Sequence, residues 1–84
     1  MDKRHLISVS GEVIAVSFSP PTQPPAYEVC LQGAYGLLQV RWLGRREVPG
    51  VSLGSRLQVT GIPVHKHGGE QLINPDYELL GGNS

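Results

Sequence analysis

Three stretches decide the fold class of this chain: Leu37-Leu-Gln-Val-Arg-Trp-Leu43, Gly54-Ser-Arg-Leu-Gln-Val-Thr-Gly61 and Gln71-Leu-Ile-Asn-Pro-Asp-Tyr-Glu-Leu-Leu80. In the first two, apolar and polar side chains alternate, which is the period of a strand with one buried face. Glycines and prolines lie between the stretches and favour turns. The pattern therefore predicts strands separated by turns of different lengths.

Length and composition favour one small all-β domain. The 84 residues suffice for a single domain, which we place at residues 1–84, with residues 1–5 and 81–84 as flexible termini. The 11 glycines and 7 prolines argue against long helices, since glycine costs about 1 and proline about 3 kcal/mol in a helix interior. Residues 19–25 contain four prolines and are predicted to form a stiff loop, because proline cannot donate to a sheet ladder.

A long first strand is predicted from Leu6 to Phe18. Near Gly11 its apolar residues switch from one face of the strand to the other. A glycine at such a switch commonly marks a bulge or a sharp bend. A bend there allows one long strand to serve two sides of a barrel. The alternative is a plain strand that the glycine weakens.

A hairpin is predicted from Ala26 to Trp42, with its turn at Gly33-Ala-Tyr-Gly36. Apolar residues alternate with polar ones on both sides of this turn, so the hairpin has one packed face and one wet face. Tyr27 and Trp42 fall on the packed face. The wet face holds Glu28, Cys30, Gln32, Gln39 and Arg41.

Two further strands complete the predicted sheet. The first spans residues 56–64 and is broken at Gly61, and the second spans residues 71–80, where Pro75 removes a ladder donor and implies an edge position or a bulge. No amphipathic helical pattern appears in residues 44–55, so we expect a loop there. Five strands in so short a chain suit a five-stranded Greek-key barrel with little or no helix better than a sandwich, which usually needs about seven strands.

The charge of the chain is zero overall but unevenly distributed. Residues 41–66 carry five bases and one acid, which gives +4, whereas residues 1–40 sum to −1 and residues 67–84 to −3. The neutral total therefore permits a basic face.

Several segments carry a resemblance to a known family: Trp42-Leu-Gly-Arg-Arg46, Leu57-Gln-Val-Thr-Gly61 and Ile73-Asn-Pro-Asp-Tyr-Glu-Leu79, with turn glycines between them. They resemble the small bacterial OB-fold nucleic-acid-binding proteins and, more distantly, the wedge domain of RecG-type branch-migration helicases. The match covers the second half of the chain well and Ser10-Gly-Glu-Val13 only generically. The resemblance implies an OB-fold barrel that binds single-stranded or junction nucleic acid, although OB barrels also bind sugars and proteins. With no ATPase segment, helicase activity is not expected.

The bases of residues 41–66 are the candidate phosphate ligands. Arg41 lies on the wet face, and Arg45 and Arg46 lie just beyond the end of the same strand, on the side that OB domains commonly use. A guanidinium suits phosphate because its planar fork gives bidentate hydrogen bonds. Arg56 and Lys66 extend this track toward the last hairpin. An ordinary solvated charged surface is the alternative.

Stacking surfaces for bases are scarce. Tyr35 lies between the glycines of the turn, where it cannot be deeply buried, and is the first candidate; the alternative is an exposed tyrosine without a role. Trp42 is the second candidate, although its phase with Val40 favours core packing over base stacking. Gln39, outward on the same strand, completes the candidate nucleic-acid-binding set.

No pattern in the sequence indicates catalysis. We expect a non-enzyme without a cofactor, because no Ser-His-Asp arrangement, phosphate-binding glycine loop or useful carboxylate pair occurs. His65 and His67 have a spacing that can chelate a metal, but without further ligands a turn with two exposed histidines is the better account, and no metal site is expected. Cys30 is the single cysteine; it has no adjacent histidine and cannot form an internal disulfide.

Two functional interpretations stay open. The first is a non-catalytic module that binds single-stranded nucleic acid, DNA rather than RNA, through an arginine-lined face in replication, recombination or repair. The second is a protein-interaction or assembly module that pairs with itself or with a larger replication or repair protein. An unpaired cysteine, no signal pattern and no apolar run near the roughly 20 residues that span a bilayer favour a cytoplasmic protein without a membrane partner.

Overall fold

The computed structural model describes residues 5–66 and 69–81, and it confirms the all-β class. Within these ranges the chain forms strands and turns without a helix. In particular, the described residues include no helix with the length and apolar character that a membrane span requires. The seven strands are β1 (Ile7–Phe18), β2 (Ala26–Gly33), β3 (Gly36–Leu43), β4 (Arg56–Gly61), β5 (Pro63–Lys66), β6 (Gly69–Ile73) and β7 (Asp76–Leu79).

All seven strands belong to one curled, barrel-like sheet in the order β5-β6-β3-β2-β1-β4-β7. Neighbouring strands are antiparallel except for β3 and β6, which are parallel. β6 and β7 lie far apart in this order, yet only Asn74 and Pro75 separate them along the chain. The sheet must therefore curl until its two sides approach each other.

β1 connects the two sides of the sheet, as the sequence predicts. Its first half, from Ile7 to Glu12, pairs with β4, and its second half, from Gly11 to Phe18, pairs with β2. Gly11 is buried where the partners change, and a Cβ there would overlap the backbone carbonyl of Gln32. The glycine thus permits a close approach of two backbones.

The bulge of β1 lies three residues beyond the predicted position. The pairing register with β2 shifts between Val13 and Ala15, so that Ile14 is the extra residue and points outward. Gly11 itself stays in register with both neighbours. The prediction of a bulge or bend at Gly11 is therefore corrected: the glycine marks the change of partner, and Ile14 carries the bulge.

Both later strands are interrupted: the first beside Gly61, as predicted, and the second at Asn74 and Pro75, where the sequence predicts an edge position or a bulge. The predicted strand 56–64 is observed as β4 and β5, with Ile62 between them. The predicted strand 71–80 is observed as β6 and β7. Asn74 lies at this second interruption with a φ of 53°. Its N–H donates to the carbonyl of Arg41 (2.7 Å), and its Oδ1 accepts from the N–H of Leu43 (2.8 Å). The break is therefore hydrogen-bonded to the end of β3.

The core lies inside the curl of the sheet and is closed at one end by the loop between β3 and β4. Tyr27 donates its hydroxyl to the carbonyl of Val51 (2.6 Å), and Tyr77 donates to that of Pro49 (2.9 Å). This loop has no helix, as predicted, but supplies two core valines that the periodicity did not identify. The core cluster is Val13, Tyr27, Val29, Leu31, Leu38, Val40, Trp42, Val48, Val51, Leu57, Val59 and Leu72.

Candidate functional site

The outward-pointing side chains of β1, β2, β3 and β6 form a polar surface, which we call the outer face. Strand register places them in two rows that cross the strands. One row is Ala15, Cys30, Gln39 and Gln71; the other is Ser17, Glu28, Arg41 and Ile73. The buried residues Val29 and Val40 alternate with them, which confirms the predicted packed and wet faces of the hairpin.

Glu28 and Arg41 lie opposite each other at the centre of the outer face and form an ion pair. Arg41 Nε is 3.0 Å from Glu28 Oε2, and the two side chains are 40% and 38% exposed. The Arg41 Nε atom is shielded from solvent, but the direction of its N–H does not meet the geometry of a hydrogen bond to the carboxylate. The hydroxyl of Ser17 donates weakly to the other carboxylate oxygen (3.5 Å). The central guanidinium is therefore neutralised.

The sequence contains the signal for this pair, although the candidate site omitted Glu28. Gly33 pairs with Gly36 at the turn of the hairpin. Residue 28 lies five positions before Gly33 and residue 41 lies five positions after Gly36, so these two residues pair with each other. Opposite charges at directly paired positions attract each other across a sheet. Glu28 is thus a site residue that register alone could have identified.

Two shallow clefts lie on the outer face. The first, of about 140 Å³, lies over Ala15, Cys30 and Gln39. The second has a similar volume and lies between Phe18, Gln23 and Arg41. Ser17 and Glu28 line both clefts, so the two clefts are adjacent.

A larger cleft, of about 560 Å³, lies where β3 ends and the last strand breaks. Leu43 is on the same side of β3 as Arg41, but this cleft shares no lining residue with the other two. The lining carries both a base and an acid as well as aromatic rings: it consists of Trp42, Leu43, Arg45, Asn74, Pro75, Asp76 and Tyr77. Concave surface is therefore present both at the centre of the outer face and at the end of β3.

The structure separates the five candidate cations into two groups. Arg41, Arg45 and Arg46 lie together toward the end of β3, close to the loop 19–25, because the N–H of Gly44 donates to the carbonyl of Pro25 (2.9 Å). Arg56 lies toward the other end of β2, paired in register with Glu12 and exposed. Lys66 is the last residue of β5 and pairs with Gly69. The predicted track of cations is therefore interrupted between the three arginines at the end of β3 and Arg56.

The aromatic candidates differ in exposure. Tyr35 is fully exposed in the β2–β3 turn, as expected, at the opposite end of the hairpin from Arg45. Trp42 is only 4% exposed. Its Nε1 donates to the carbonyl of Pro75 (3.1 Å), and its ring packs edge-on against Tyr77 with centroids 5.5 Å apart. Core packing of Trp42 is thus confirmed, and its ring offers no open face to a base.

Phe18 is an exposed aromatic ring beside Arg41 that the candidate set omitted. It is 63% exposed, lies tilted against Tyr27 and lines the second cleft. In the alternation of β1, Phe18 falls at an inward position, so the sequence pattern did not predict that its ring is exposed. Its exposure arises because β1 ends there and the proline-rich loop leaves one side of the ring open.

The remaining titratable groups show no cluster of metal-ligand type. No group of three or more His, Cys, Asp or Glu residues with ligand geometry occurs within 5–66 and 69–81. His65 Nε2 lies 3.7 Å from Glu70 Oε2 across the β5–β6 pair, whereas His67 lies outside the described residues. Burial, assisted by the charge of Glu47, raises the pKa of the Tyr27 hydroxyl. That hydroxyl belongs to the core and not to the outer face.

The comparisons with known proteins add no family to these observations. The sequence matches no protein-family model, and no curated protein matches it at a significant level. The function must therefore be inferred from the sheet, the outer face and its clefts.

Proposed function

We propose that this protein is a non-catalytic OB-fold module that binds single-stranded nucleic acid across its outer face. The strand connectivity supports the fold assignment. If β4 with β5 and β6 with β7 are each counted as one interrupted strand, five strands remain. β1 then pairs with strands two and four, and the last strand pairs in parallel with strand three and in antiparallel with strand four. These pairings support the proposal of a five-stranded Greek-key OB barrel.

The observation that carries the binding proposal is the presence of clefts lined by Phe18 and Arg41 and, at the end of β3, by Arg45. OB barrels bind oligonucleotides on the face of strands two and three, between the loops that follow strands one and four. Here the loop 19–25 lies at one end of that face. Phe18 supplies an exposed ring for a base, and Arg45 and Arg46 supply guanidinium groups for phosphates.

The same features indicate modest affinity. Phe18 is the exposed ring that lines these clefts, and the central arginine is already paired with Glu28. Phosphate neutralisation by the remaining arginines releases counterions, so binding must weaken as salt rises. The resemblance in the second half of the chain favours single-stranded DNA over RNA and a role in replication, recombination or repair in the bacterial cytoplasm.

Fluorescence anisotropy with a labelled oligothymidine at low and high salt tests the proposal. The double variant Arg45→Gln/Arg46→Gln is expected to bind about tenfold more weakly at low salt and to lower the slope of log K against log salt by about 1.4, because two phosphate contacts are lost. The matched control Arg45→Lys/Arg46→Lys keeps both charges and should keep most of the binding. Absence of wild-type binding at low salt, or equal losses in the two variants, would contradict the proposal.

A second candidate function is protein assembly, and one observation favours it. β5 lies at one end of the strand order; Val64 on this strand and Ile62 just before it are exposed apolar side chains. Such an edge can pair with a strand of a second copy or of a larger replication or repair protein. Light scattering over a range of concentrations would detect self-association. The charge-reversing variant Arg45→Glu/Arg46→Glu should abolish nucleic-acid binding and leave a contact through β5 intact.

A further inference from the structure

We propose that Glu28 and Arg41 form a base-reading pair, so that a nucleobase edge and not a phosphate occupies the centre of the outer face. This inference rests on the proposed binding of single-stranded nucleic acid. It assigns Arg41 a different role from that of Arg45 and Arg46, although all three belong to the same predicted cluster of cations.

The geometry of the pair presents donors and acceptors side by side. Arg41 directs its shielded Nε toward Glu28, while both side chains remain about 40% exposed. A guanidinium offers several N–H donors in one plane, and a carboxylate offers only acceptors. The Watson–Crick edge of an unpaired base also carries a donor next to an acceptor, and single-strand recognition uses these edges. The pair is therefore complementary to a base edge.

Electrostatics disfavours a phosphate at the same place. The carboxylate of Glu28 offsets the attraction of Arg41 for an anion that approaches between them, since the two charges lie only 3.0 Å apart. A neutral base suffers no such repulsion. In the part of the chain that the structure describes, Arg41 is the arginine that forms an ion pair, with Glu28. Arg45 and Arg46 are thus better placed to hold phosphates.

Phe18 adds a stacking surface next to the pair. It lines the same cleft as Glu28 and Arg41, and its ring is exposed. A base whose edge meets the ion pair can therefore contact an aromatic ring in the same cleft.

The test compares two labelled probes of equal length, an oligothymidine and an abasic oligonucleotide that keeps the phosphates and lacks the bases. The double variant Glu28→Ala/Arg41→Ala removes both charges and leaves the net charge unchanged. It is expected to weaken oligothymidine binding about fivefold or more, while abasic binding changes by less than about twofold. Arg45→Gln, the phosphate-contact control, should weaken both probes. Glu28→Gln should strengthen abasic binding and raise its salt slope by about 0.7, because Arg41 becomes free to hold a phosphate.

Three results would overturn the base-reading role: an equal loss for both probes in Glu28→Ala/Arg41→Ala, a lower salt slope in that variant, or unchanged abasic binding in Glu28→Gln. If the wild type still binds oligothymidine, any of these results leaves the proposed function unaffected. Failure of the wild type to bind either probe at low salt overturns the proposed function and this inference together. Glu28→Gln keeps the size and shape of the side chain, and thermal melting by circular dichroism verifies that each variant is folded.

Discussion

At the scale of single residues, two positions allow backbones to approach where the regular sheet would not. Gly11 lies where β1 changes partner, and any side chain there would overlap the backbone of Gln32. Asn74 is the one non-glycine residue with positive φ among those described, and it hydrogen-bonds through both its backbone and its side chain to the end of β3. Asparagine tolerates this left-handed conformation better than most residues.

Substitution of Asn74 should separate the contribution of its side-chain hydrogen bond from that of its left-handed backbone conformation. Asn74→Ala loses the side-chain hydrogen bond to Leu43 and must hold alanine at positive φ, so we expect the free energy of unfolding to fall by about 1–3 kcal/mol. Asn74→Gly loses the same hydrogen bond without the conformational strain and should cost less. Urea denaturation of both variants measures the difference. Equal losses would show that the backbone conformation contributes nothing.

At the scale of elements, the loop between β3 and β4 is a structural part of the barrel-like sheet. It inserts Val48 and Val51 into the core and accepts hydrogen bonds from Tyr27 and Tyr77. Here a short loop with two apolar side chains and two bonded carbonyls covers that end of the core.

The Tyr27 hydroxyl predicts a pH dependence of stability. Burial raises its pKa above the ordinary value of 10.0, so the folded state retains the phenol proton to higher pH than the unfolded state does. Its contribution is therefore complete below about pH 10 and is lost as the pH rises through the folded pKa. Tyr27→Phe should be less stable than wild type by about 1 kcal/mol near neutral pH, since it lacks the bond to Val51.

The expected signature is a difference in stability between wild type and Tyr27→Phe that shrinks above pH 10, measured by urea denaturation at several pH values. Tyr35→Phe provides a control at neutral pH, because Tyr35 is fully exposed and the substitution should change stability little there. A difference that stays constant through pH 11 would contradict the prediction.

At the scale of the whole molecule, the last strand joins the two sides of the sheet. β6 pairs with β3, β7 pairs with β4, and Trp42 packs against Tyr77 across the junction. The N–H of Leu80 also donates to the carbonyl of Arg56 (2.9 Å). The curl of the sheet thus depends on contacts that the final residues of the chain supply.

A truncation tests this dependence. A chain that ends at Pro75 lacks β7 and Tyr77, so we expect it to lose its cooperative thermal transition, because the pairing of β7 with β4 and the packing of Tyr77 against Trp42 are both removed. A chain that ends at Gly81 keeps all of β7 and should melt like the full chain. Circular dichroism melting compares the two. A cooperative transition in the shorter chain would show that the sheet stands without its last strand.

Part of the site was predictable because strand alternation and turn chemistry are local properties. The inward position of Trp42, the outward positions of Gln39 and Arg41 and the exposure of Tyr35 follow from the period of two and the glycine turn. The Glu28–Arg41 pair follows from hairpin register as well, once the turn is located. Phe18 could not be predicted in this way, because its exposure depends on the path of the loop that follows it.

The sequence by itself determined that the chain is all-β, where its strands begin and break, and which face of the β2–β3 hairpin is buried. Only the tertiary structure decided that Ile14 bulges instead of Gly11, that Val48 and Val51 belong to the core, and that Arg56 lies apart from Arg41. The physical reason is the same in each case. These features depend on pairing between strands distant in sequence, and a local pattern fixes how a strand packs but not which strand it meets.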